Sequence, residues 1–382
     1  MTAHAQPSTL PEWLRHQAQR RPHAIALRHK RLGAWHTLSW QDVATAVEQL
    51  AAGLAQGGFT AGDALLLVSH PREEALLLSL AAQWNGGVAI PLDPQIADGT
   101  LRAALSQLAP RFVFAADDSQ LDRLLAHDGL RVIDANPRNL PPHPHPAVTD
   151  YRALSILHEG RFTSTARPHD NAFAFVRLDA DGQLVAQRFS HATLVREAEQ
   201  LIGTEKLTAL DEAFAARAFA AASQARYLIA PWIVSGFRLN FPESLATRDN
   251  DRRELAPTLV AGTRETYARV AQFVDARLPG ARSLRRRLIS RAQRGQGGPL
   301  MRTLTWWLIT RPLREVIGFS RTHAALVNGP PLDETTASLF SALRVDVRAW
   351  PDTGEWRPVQ PPRGTATREH HGGDGAAQQA AY

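Results

Sequence analysis

The chain has no cysteine and only two lysines, Lys30 and Lys206, among its 382 residues. Without cysteine, disulfides, thiolate metal sites and a cysteine nucleophile are all excluded. Chemistry that needs an ammonium group is left with two candidates. The N-terminus lacks a basic patch followed by an apolar run, and no apolar stretch reaches about 18 residues, so we expect neither a secretory signal nor a membrane-spanning helix. A cytoplasmic protein fits these absences best.

The basic residues are almost all arginine. Lysine and arginine number 43 and aspartate and glutamate 37, which gives a formal net charge of +6. The bias towards arginine and alanine indicates a GC-rich, bacterial genome. A basic chain raises nucleic acid as a partner, but arginine and glutamate are interspersed along most of the sequence, and no basic stripe is interleaved with aromatic residues. Nucleic-acid binding is therefore disfavoured.

Short apolar runs alternate with helical patterns over the first third of the chain. Residues 64–68 form a continuous apolar run, residues 71–84 have a helical pattern, and residues 88–92 form the next apolar run. A strand, a helix and a second strand in this order make a βαβ unit. Because the pattern continues to residue 134, the predicted fold class is α/β, with parallel sheets that carry helices on both faces.

A proline-rich segment divides the chain. Residues 137–150 include the run PPHPHP, which is typical of a stiff, extended linker, and we interpret His143 and His145 as part of that connector rather than as metal ligands. The other predicted units are a first α/β subdomain (1–136), a second α/β subdomain (151–356) with a basic helical insertion (277–317), and a disordered polar tail (357–382).

Four segments form a pattern when they are taken in chain order. Residues 88–94 read VAIPLDP, residues 255–267 contain LAPT and GTRETY, residues 326–332 read LVNGPPL, and a predicted strand at 345–347 leads into AWPDT. Together these segments resemble the large N-terminal domain of AMP-forming acyl-CoA synthetases, in the adenylate-forming superfamily. The second segment is similar to the long-chain fatty acid subgroup. The resemblance covers roughly residues 9 to 355.

The resemblance implies a fold of two stacked αβα-type parallel-sheet subdomains. In the family, a small mobile C-terminal domain follows and carries the adenylation lysine. The sequence ends soon after residue 355, so we expect this small C-terminal domain to be absent. Neither Lys30 nor Lys206 stands at a position that matches a lysine of the family.

The family's phosphate-binding loop, Thr-Ser-Gly-Thr-Thr-Gly-x-Pro-Lys-Gly, lies shortly before a Ser-His pair, which here is at 190–191. Counting back without a gap aligns the loop with residues 177–186, which read RLDADGQLVA. Only Gly182 is retained, and Val185 replaces the lysine. A lost charged hydrogen bond costs about 1.5–3 kcal/mol. The resemblance therefore implies a family member whose phosphate loop is degenerate.

Asp179 and Asp181 stand where the family has small residues that leave room for phosphates. Each carboxylate would repel a phosphate charge by about 1 kcal/mol at about 4 Å in water, and by more if desolvated. We interpret the segment as an ordinary hairpin turn with an acidic tip. Two carboxylates in one tight turn are too few for a metal site.

The second site of the family is altered as well. The resemblance assigns a residual nucleotide pocket to Asn328, Gly329, Pro330, Trp350 and Thr353. Trp350 replaces the aromatic residue that stacks on adenine, although core packing is the favoured role. Gly354 replaces the glutamate that binds Mg²⁺ in the family, with Glu355 one position late. No catalytic residue and no metal ligand is predicted.

The favoured interpretation is a catalytically inactive AMP-binding homologue, a pseudoenzyme with a binding or regulatory role in fatty-acid or acyl metabolism. Its ligands would be an acyl chain or fatty acid and residual ATP or AMP, and its partner a full-length synthetase or another protein. One alternative is an active long-chain fatty acid–CoA ligase fragment, completed by a separate C-terminal domain or partner. Another is a peripheral membrane protein that uses the Arg- and Trp-rich segment 277–314.

Overall fold

A computed structural model describes residues 6–136, 140–155, 162–217, 219–276, 303, 306–352 and 354–359. Their strands form one seven-stranded and one eight-stranded sheet. Strands and helices are numbered in chain order over these residues.

The seven-stranded sheet is parallel apart from an N-terminal hairpin at one edge. In spatial order its strands are β14 (Val347–Trp350), β13 (Ala324–Asn328), β12 (Leu259–Gly262), β10 (Glu212–Phe214), β11 (Arg238–Phe241), β1 (Ile25–Arg31) and β2 (Ala34–Ser39). The hairpin formed by β1 and β2 thus pairs with β11, a strand that lies about two hundred residues later in the sequence.

The eight-stranded sheet has a parallel body and an antiparallel edge formed by its last three strands in the sequence. In spatial order its strands are β15 (Arg357–Pro358), β9 (Leu184–Ser190), β8 (Asn171–Leu178), β4 (Val88–Leu92), β3 (Ala64–Val68), β5 (Phe112–Ala115), β6 (Arg131–Asp134) and β7 (Val148–Asp150). Strands β3 to β6 coincide with the predicted βαβ units, and the predicted α/β class is confirmed.

Helices lie on the faces of both sheets. They are α1 (Leu10–Arg20), α2 (Trp40–Gln56), α3 (Glu73–Trp84), α4 (Asp98–Leu108), α5 (Asp118–Leu125), α6 (Tyr151–Ser155), α7 (His191–Glu205), α8 (Ala222–Gln224), α9 (Ala230–Ser235), α10 (Arg248–Leu255), α11 (Arg264–Asp275), α12 (Arg311–Val316) and α13 (Glu334–Ala342), with π-helical turns at Ala225–Ile229 and Trp306–Thr310. In the part of the chain that the structure describes, no helix has the length and apolar character needed to cross a membrane.

Both faces of the central strands are buried, so successive residues of one such strand enter different cores. On β3, Leu65 and Leu67 pack into the central core between the two sheets, whereas Leu66 and Val68 pack into the core under α4 and α5. On β13, Leu326 enters the central core, and its neighbours enter a third core under α11 and α13. The period of two in side-chain direction therefore produces five layers, helix, sheet, helix, sheet and helix.

The two sheets draw strands from both sides of the predicted linker. The hairpin at 25–39 belongs to the seven-stranded sheet, and strands at 171–190 belong to the eight-stranded sheet. The predicted division into 1–136 and 151–356 therefore does not coincide with the division between sheets, since local patterns do not show which distant strand a hairpin will join.

The proline-rich segment continues directly into β7, which pairs with β6. Within it, Nδ1 of His143 accepts the N–H of His145, and Nδ1 of His145 accepts the N–H of Ala147, both at 3.2 Å. Both rings thus stabilise local turns. Of the predicted insertion at 277–317, the structure describes residue 303 and residues 306–317, and of the predicted tail at 357–382 it describes residues 357–359.

Glu73 and Glu74 are the first two residues of α3, and their pKa values are shifted in opposite directions. Arg72 forms a two-point ion pair with Glu74, with N–O distances of 2.7 and 2.8 Å, and His29 Nδ1 lies 3.4 Å from the Glu73 carboxylate. Burial, together with the neighbouring Glu74 charge, raises the pKa of Glu73 to about 8. Although burial opposes it, the Arg72 hydrogen bond holds the pKa of Glu74 below its usual value.

Glu73→Gln is expected to raise the free energy of unfolding by an amount that grows as the pH rises from about 4.5 to about 8. In that window the native Glu73 stays protonated while the unfolded carboxyl ionises, so the parent protein loses stability as the pH rises. The slope reaches at most about 1.4 kcal/mol per pH unit, and glutamine removes it. Urea unfolding across the window measures the difference.

The control for this prediction is Glu74→Gln. Because the pKa of Glu74 is lowered, its contribution is present above the unfolded pKa and is lost as the pH falls, so this variant is destabilised at neutral pH. A difference between Glu73→Gln and the parent that does not change with pH would contradict the assignment.

Candidate functional site

Two loops lie side by side where β13 and β14 end. Asn328 is the last residue of β13 and is paired in register with Trp350, the last residue of β14. Gly329 follows with φ 92°, and its N–H donates to the Trp350 carbonyl at 3.4 Å. The exposed Pro330 continues the loop, and Thr353 lies outside the described residues. The structure therefore brings together four of the five predicted nucleotide-pocket residues at one sheet edge.

Asn328 is buried, with 6% of its surface exposed, and both its side-chain nitrogen and its side-chain oxygen lack a hydrogen-bond partner within the described chain. A buried polar group without a partner costs about 1–3 kcal/mol. A side-chain amide can recognise a ligand that presents one donor and one acceptor side by side, since it offers both groups itself. Among the described residues of the predicted nucleotide pocket, Asn328 is thus the one whose buried polar atoms lack partners.

Trp350 faces the protein interior. Its ring packs against the central core, 5.5 Å from the ring of Tyr227, and its Nε1–H donates to the Glu205 carboxylate at 3.3 Å. Arg348 on the same strand bonds that carboxylate at 3.2 Å. These contacts fix the indole against α7 and account for its position by packing and hydrogen bonding.

The segment after Trp350 is held by the π-helical turn at Ala225–Ile229. Tyr227 Oη donates to the Pro351 carbonyl at 2.7 Å, and Arg226 lies 3.4 Å from the Asp352 carboxylate. Arg226 is 4% exposed and also pairs with Glu197 at 2.6 Å. Burial raises the pKa of Tyr227 to about 12, so its hydroxyl remains a donor. This clamp was not predicted from the sequence, although an Arg-Tyr pair inside an apolar run is a usable signal.

The acidic hairpin turn lies between β8 and β9. Oδ1 of Asp179 accepts the N–H groups of Asp181 at 3.0 Å and of Gln183 at 2.8 Å. The N–H of Asp179 donates to the Gln183 carbonyl at 2.9 Å, and that of Gly182 donates to the Asp179 carbonyl at 3.2 Å. Four backbone N–H groups of the turn therefore have partners within the turn itself.

The other positions aligned with phosphate and magnesium ligands are also occupied by structural contacts. Val185 is buried and is paired in register with Pro358 of β15. A Cβ on Gly354 would meet the side-chain amide of Gln187, so a glutamate there requires Gln187 to move. Glu355 is 72% exposed and forms a surface ion pair with Arg357 at 2.7 Å. These residues do not fit a magnesium-bound triphosphate.

The Ser-His pair that anchors the alignment has a structural role. Ser190 Oγ accepts the N–H of Thr193 and begins α7, while Nδ1 of the buried His191 accepts the N–H of Leu10 at 3.3 Å at the start of α1. Burial lowers the pKa of His191 to about 4, which keeps the ring neutral as an acceptor. The pair ties two helices together.

Comparison with known proteins adds independent information. Residues 14–174 match the AMP-binding enzyme family. A fatty acid–[acyl-carrier-protein] ligase, MmaC, from Mycobacterium marinum is 30% identical over 129 residues, which are 34% of this chain and 24% of that protein. A 2-succinylbenzoate–CoA ligase from Salmonella typhimurium is 32% identical over 110 residues, which are 28% of this chain and 23% of that protein. The matched segments thus span about a quarter of each ligase.

Solved structures share the fold over most of the chain. MatB from Rhodopseudomonas palustris superposes with a TM-score of 0.68 and 17% identity, over 94% of this chain and 63% of that one. A fatty acyl-adenylate ligase from L. pneumophila, in complex with acyl adenylate and pyrophosphate, gives a TM-score of 0.64 and 12% identity, over 90% of this chain and 54% of that one. The AMP-binding match and the ligase similarities support membership of the adenylate-forming superfamily, and the solved structures share its fold.

Proposed function

We propose that this chain is a catalytically inactive AMP-binding homologue that binds a nucleotide through the pocket at Asn328 without forming an acyl-adenylate. The observation that carries the proposal is the turn at 179–183, where backbone N–H groups are bonded within the turn. Phosphate loops work by directing such groups at the ligand. Here the Asp179 carboxylate takes the place that a phosphate oxygen would occupy.

Electrostatics supports the same proposal. A polyphosphate that approached this turn would meet Asp179 and Asp181 and would have to displace internal hydrogen bonds. No lysine stands nearby in the sequence to offset this, since Lys30 is bonded to Asp251 and Glu254, and Lys206 ends α7. A nucleoside monophosphate needs much less of this loop, which favours AMP over ATP as the ligand.

The ligases among the similar proteins act on fatty or aromatic acids, as their names state. We infer that the biological setting is fatty-acid or acyl metabolism, with a complete synthetase or another protein as partner and an acyl group as a second ligand. A ligase fragment that a separate domain completes is the alternative. It requires that the turn at 179–183 reopen, because such a domain would not replace that loop.

A membrane-surface role is a second candidate function, and one exposed patch favours it. Trp307 and Leu308 are 56% and 67% exposed, and the Arg311 guanidinium lies 4.7 Å from the Trp307 ring. Exposed tryptophan and leucine beside arginine suit the interface of an anionic bilayer.

Purified protein is expected to give no ATP–pyrophosphate exchange with fatty acids, either alone or with an added C-terminal domain from a complete synthetase, and to bind AMP in calorimetry.

Asn328→Leu should weaken AMP binding at least tenfold and raise the free energy of unfolding of the ligand-free protein by about 1 kcal/mol, because it removes a buried amide without partners.

Asn240→Leu is the matched control for this variant. Asn240 is also buried in the seven-stranded sheet, but its Nδ2 donates to the Ala213 carbonyl at 2.8 Å, so leucine should destabilise the protein there. Robust pyrophosphate exchange would overturn the proposal, and equal AMP affinity in Asn328→Leu would remove Asn328 from the pocket.

Asp179→Ala is expected to lower the free energy of unfolding by about 1.5–3 kcal/mol, because it removes two hydrogen bonds to a charged acceptor. The control is Asp181→Ala, which removes an equal charge two residues along the chain. Because the Asp181 side chain is exposed, this variant should change stability by less than about 0.5 kcal/mol. Urea unfolding of both variants measures the difference, and similar values for the two would show that Asp179 does not close the turn.

Trp307→Ser combined with Leu308→Ser is expected to reduce sedimentation with phosphatidylserine vesicles at low salt without changing thermal stability, since both side chains are exposed. If the parent protein does not sediment with these vesicles, the membrane role is excluded.

A further inference from the structure

The seven-stranded sheet ends in a strand that is free on one side. β14 pairs with β13, and no described strand lies on its other side. Arg348 and Ala349 of this strand are exposed, and Val347 and Trp350 are partly buried. A free edge of this kind presents backbone N–H and C=O groups that can pair with a strand of another chain.

The direction of the backbone groups along β14 follows from one hydrogen bond. The Trp350 carbonyl accepts the N–H of Gly329, which follows β13, so the backbone groups of Trp350 point towards β13. Successive residues of a strand direct their backbone groups to opposite sides. The groups of Arg348 therefore also point towards β13, and those of Val347 and Ala349 point to the free edge.

An apolar groove lies beside this edge, between β14 and α13. Its volume is about 490 Å³. Phe340, Val345 and Val347 line it, together with the small exposed residues Ala337 and Ser341 of α13. A strand that pairs with the free edge would place alternate side chains over this groove, which would remove its apolar lining from water.

The charges around Val347 are complementary to themselves. Asp346 and Arg348 flank Val347, and their side chains leave the same face of the strand. The Asp346 side chain is 76% exposed and that of Arg348 48%. If two copies of β14 run antiparallel with their Val347 residues opposite each other, Asp346 of each copy lies opposite Arg348 of the other. Opposite charges in such cross-strand pairs stabilise the pairing, and like charges destabilise it.

We propose that two copies of this chain associate through β14, antiparallel about a two-fold axis at Val347, so that their seven-stranded sheets become continuous. The Val347 N–H of each copy donates to the Val347 carbonyl of the other, and the Ala349 N–H donates to the Val345 carbonyl. The Val345 N–H is not required, since it donates to the Phe340 carbonyl within its own copy. A two-fold axis makes the assembly a closed dimer.

The charge pattern selects a second copy as the occupant of the edge. An arbitrary extended segment would satisfy the backbone groups equally well, but Asp346 and Arg348 require a strand that presents the two charges in the opposite order at the same spacing. The chain itself supplies that strand. Because the paired strands are short, the interface is small, and the dimer is expected to be weak and sensitive to salt. The inference goes beyond the proposed function and does not depend on nucleotide binding.

The test is sedimentation velocity of the full chain at low salt, from micromolar to near-millimolar concentration, with the parent expected to shift from monomer to dimer. Ala349→Pro removes an N–H at the free edge without removing a hydrogen bond to β13, so it should weaken dimerisation about tenfold or more. Ala349→Ser keeps this N–H and should associate like the parent. Equal melting temperatures of the dilute proteins show that the fold is retained.

Charge exchange tests the register of the two strands. Asp346→Arg and Arg348→Asp each place like charges opposite one another, so each variant alone should dimerise about tenfold or more weakly than the parent. An equimolar mixture of the two should dimerise again, because each new charge then faces its opposite. Since Arg348 also bonds Glu205, this recovery is the result that a loss of folding could not produce.

Asp181→Arg is the matched control, because it makes the same change of charge in the exposed turn between β8 and β9, and it should dimerise like the parent. A monomer at all concentrations overturns the proposal. So does a dimer that Ala349→Pro leaves unchanged, which would lie at another surface such as β2. Failure of the mixed variants to associate, or equal weakening by Asp181→Arg, would exclude the antiparallel register at Val347.

Discussion

Burial of both faces of the central strands in each sheet is the constraint on which the rest of the structure depends. Alternate residues of β3 and of β13 enter different cores, so each strand is fixed by packing on two sides. In a parallel sheet that is buried in this way, the loops at the strand ends are the parts whose sequence can vary. The candidate nucleotide site lies at such an end, after β13 and β14.

The chain shares the family's fold, and the proposed function places its differences from the family in two loops. The turn at 179–183 preserves a hairpin between β8 and β9, and Asp179 stabilises it with hydrogen bonds that a phosphate loop would reserve for its ligand. The same holds at Gly354, where Gln187 fills the space that a glutamate side chain would need. In both places a contact within the protein occupies the position where the family would bind magnesium or phosphate, and this supports the proposal of a catalytically inactive homologue.

Sequence reasoning succeeded where the local pattern and the tertiary environment agree. The strands β3 to β6 are continuous apolar runs separated by helices, and their buried faces leave few alternatives. The sequence did not indicate β10, which has three residues and no alternation, and it did not indicate the order of strands in the sheets. The strand predicted at 345–347 begins at Val347, because the N–H of Val345 instead donates to the Phe340 carbonyl and ends α13.

The site was predictable in part. The residues at the ends of β13 and β14 follow from the family resemblance, and the structure brings Asn328, Gly329 and Trp350 together. The adjacent pair of Arg226 and Tyr227 is visible in the sequence, but its contacts with Pro351 and Asp352 could not be predicted, since these partners are more than a hundred residues away and meet the pair only through tertiary packing.

The central claim is that the turn at 179–183 keeps its backbone N–H groups for Asp179 and so cannot hold a triphosphate. Amide NMR of the labelled protein during titration with MgATP tests it most directly. The account predicts that the Asp181 and Gln183 amide resonances do not move at ATP concentrations that shift resonances near Asn328. Movement of the Asp181 and Gln183 amides on addition of MgATP, with loss of that movement for AMP, would contradict it.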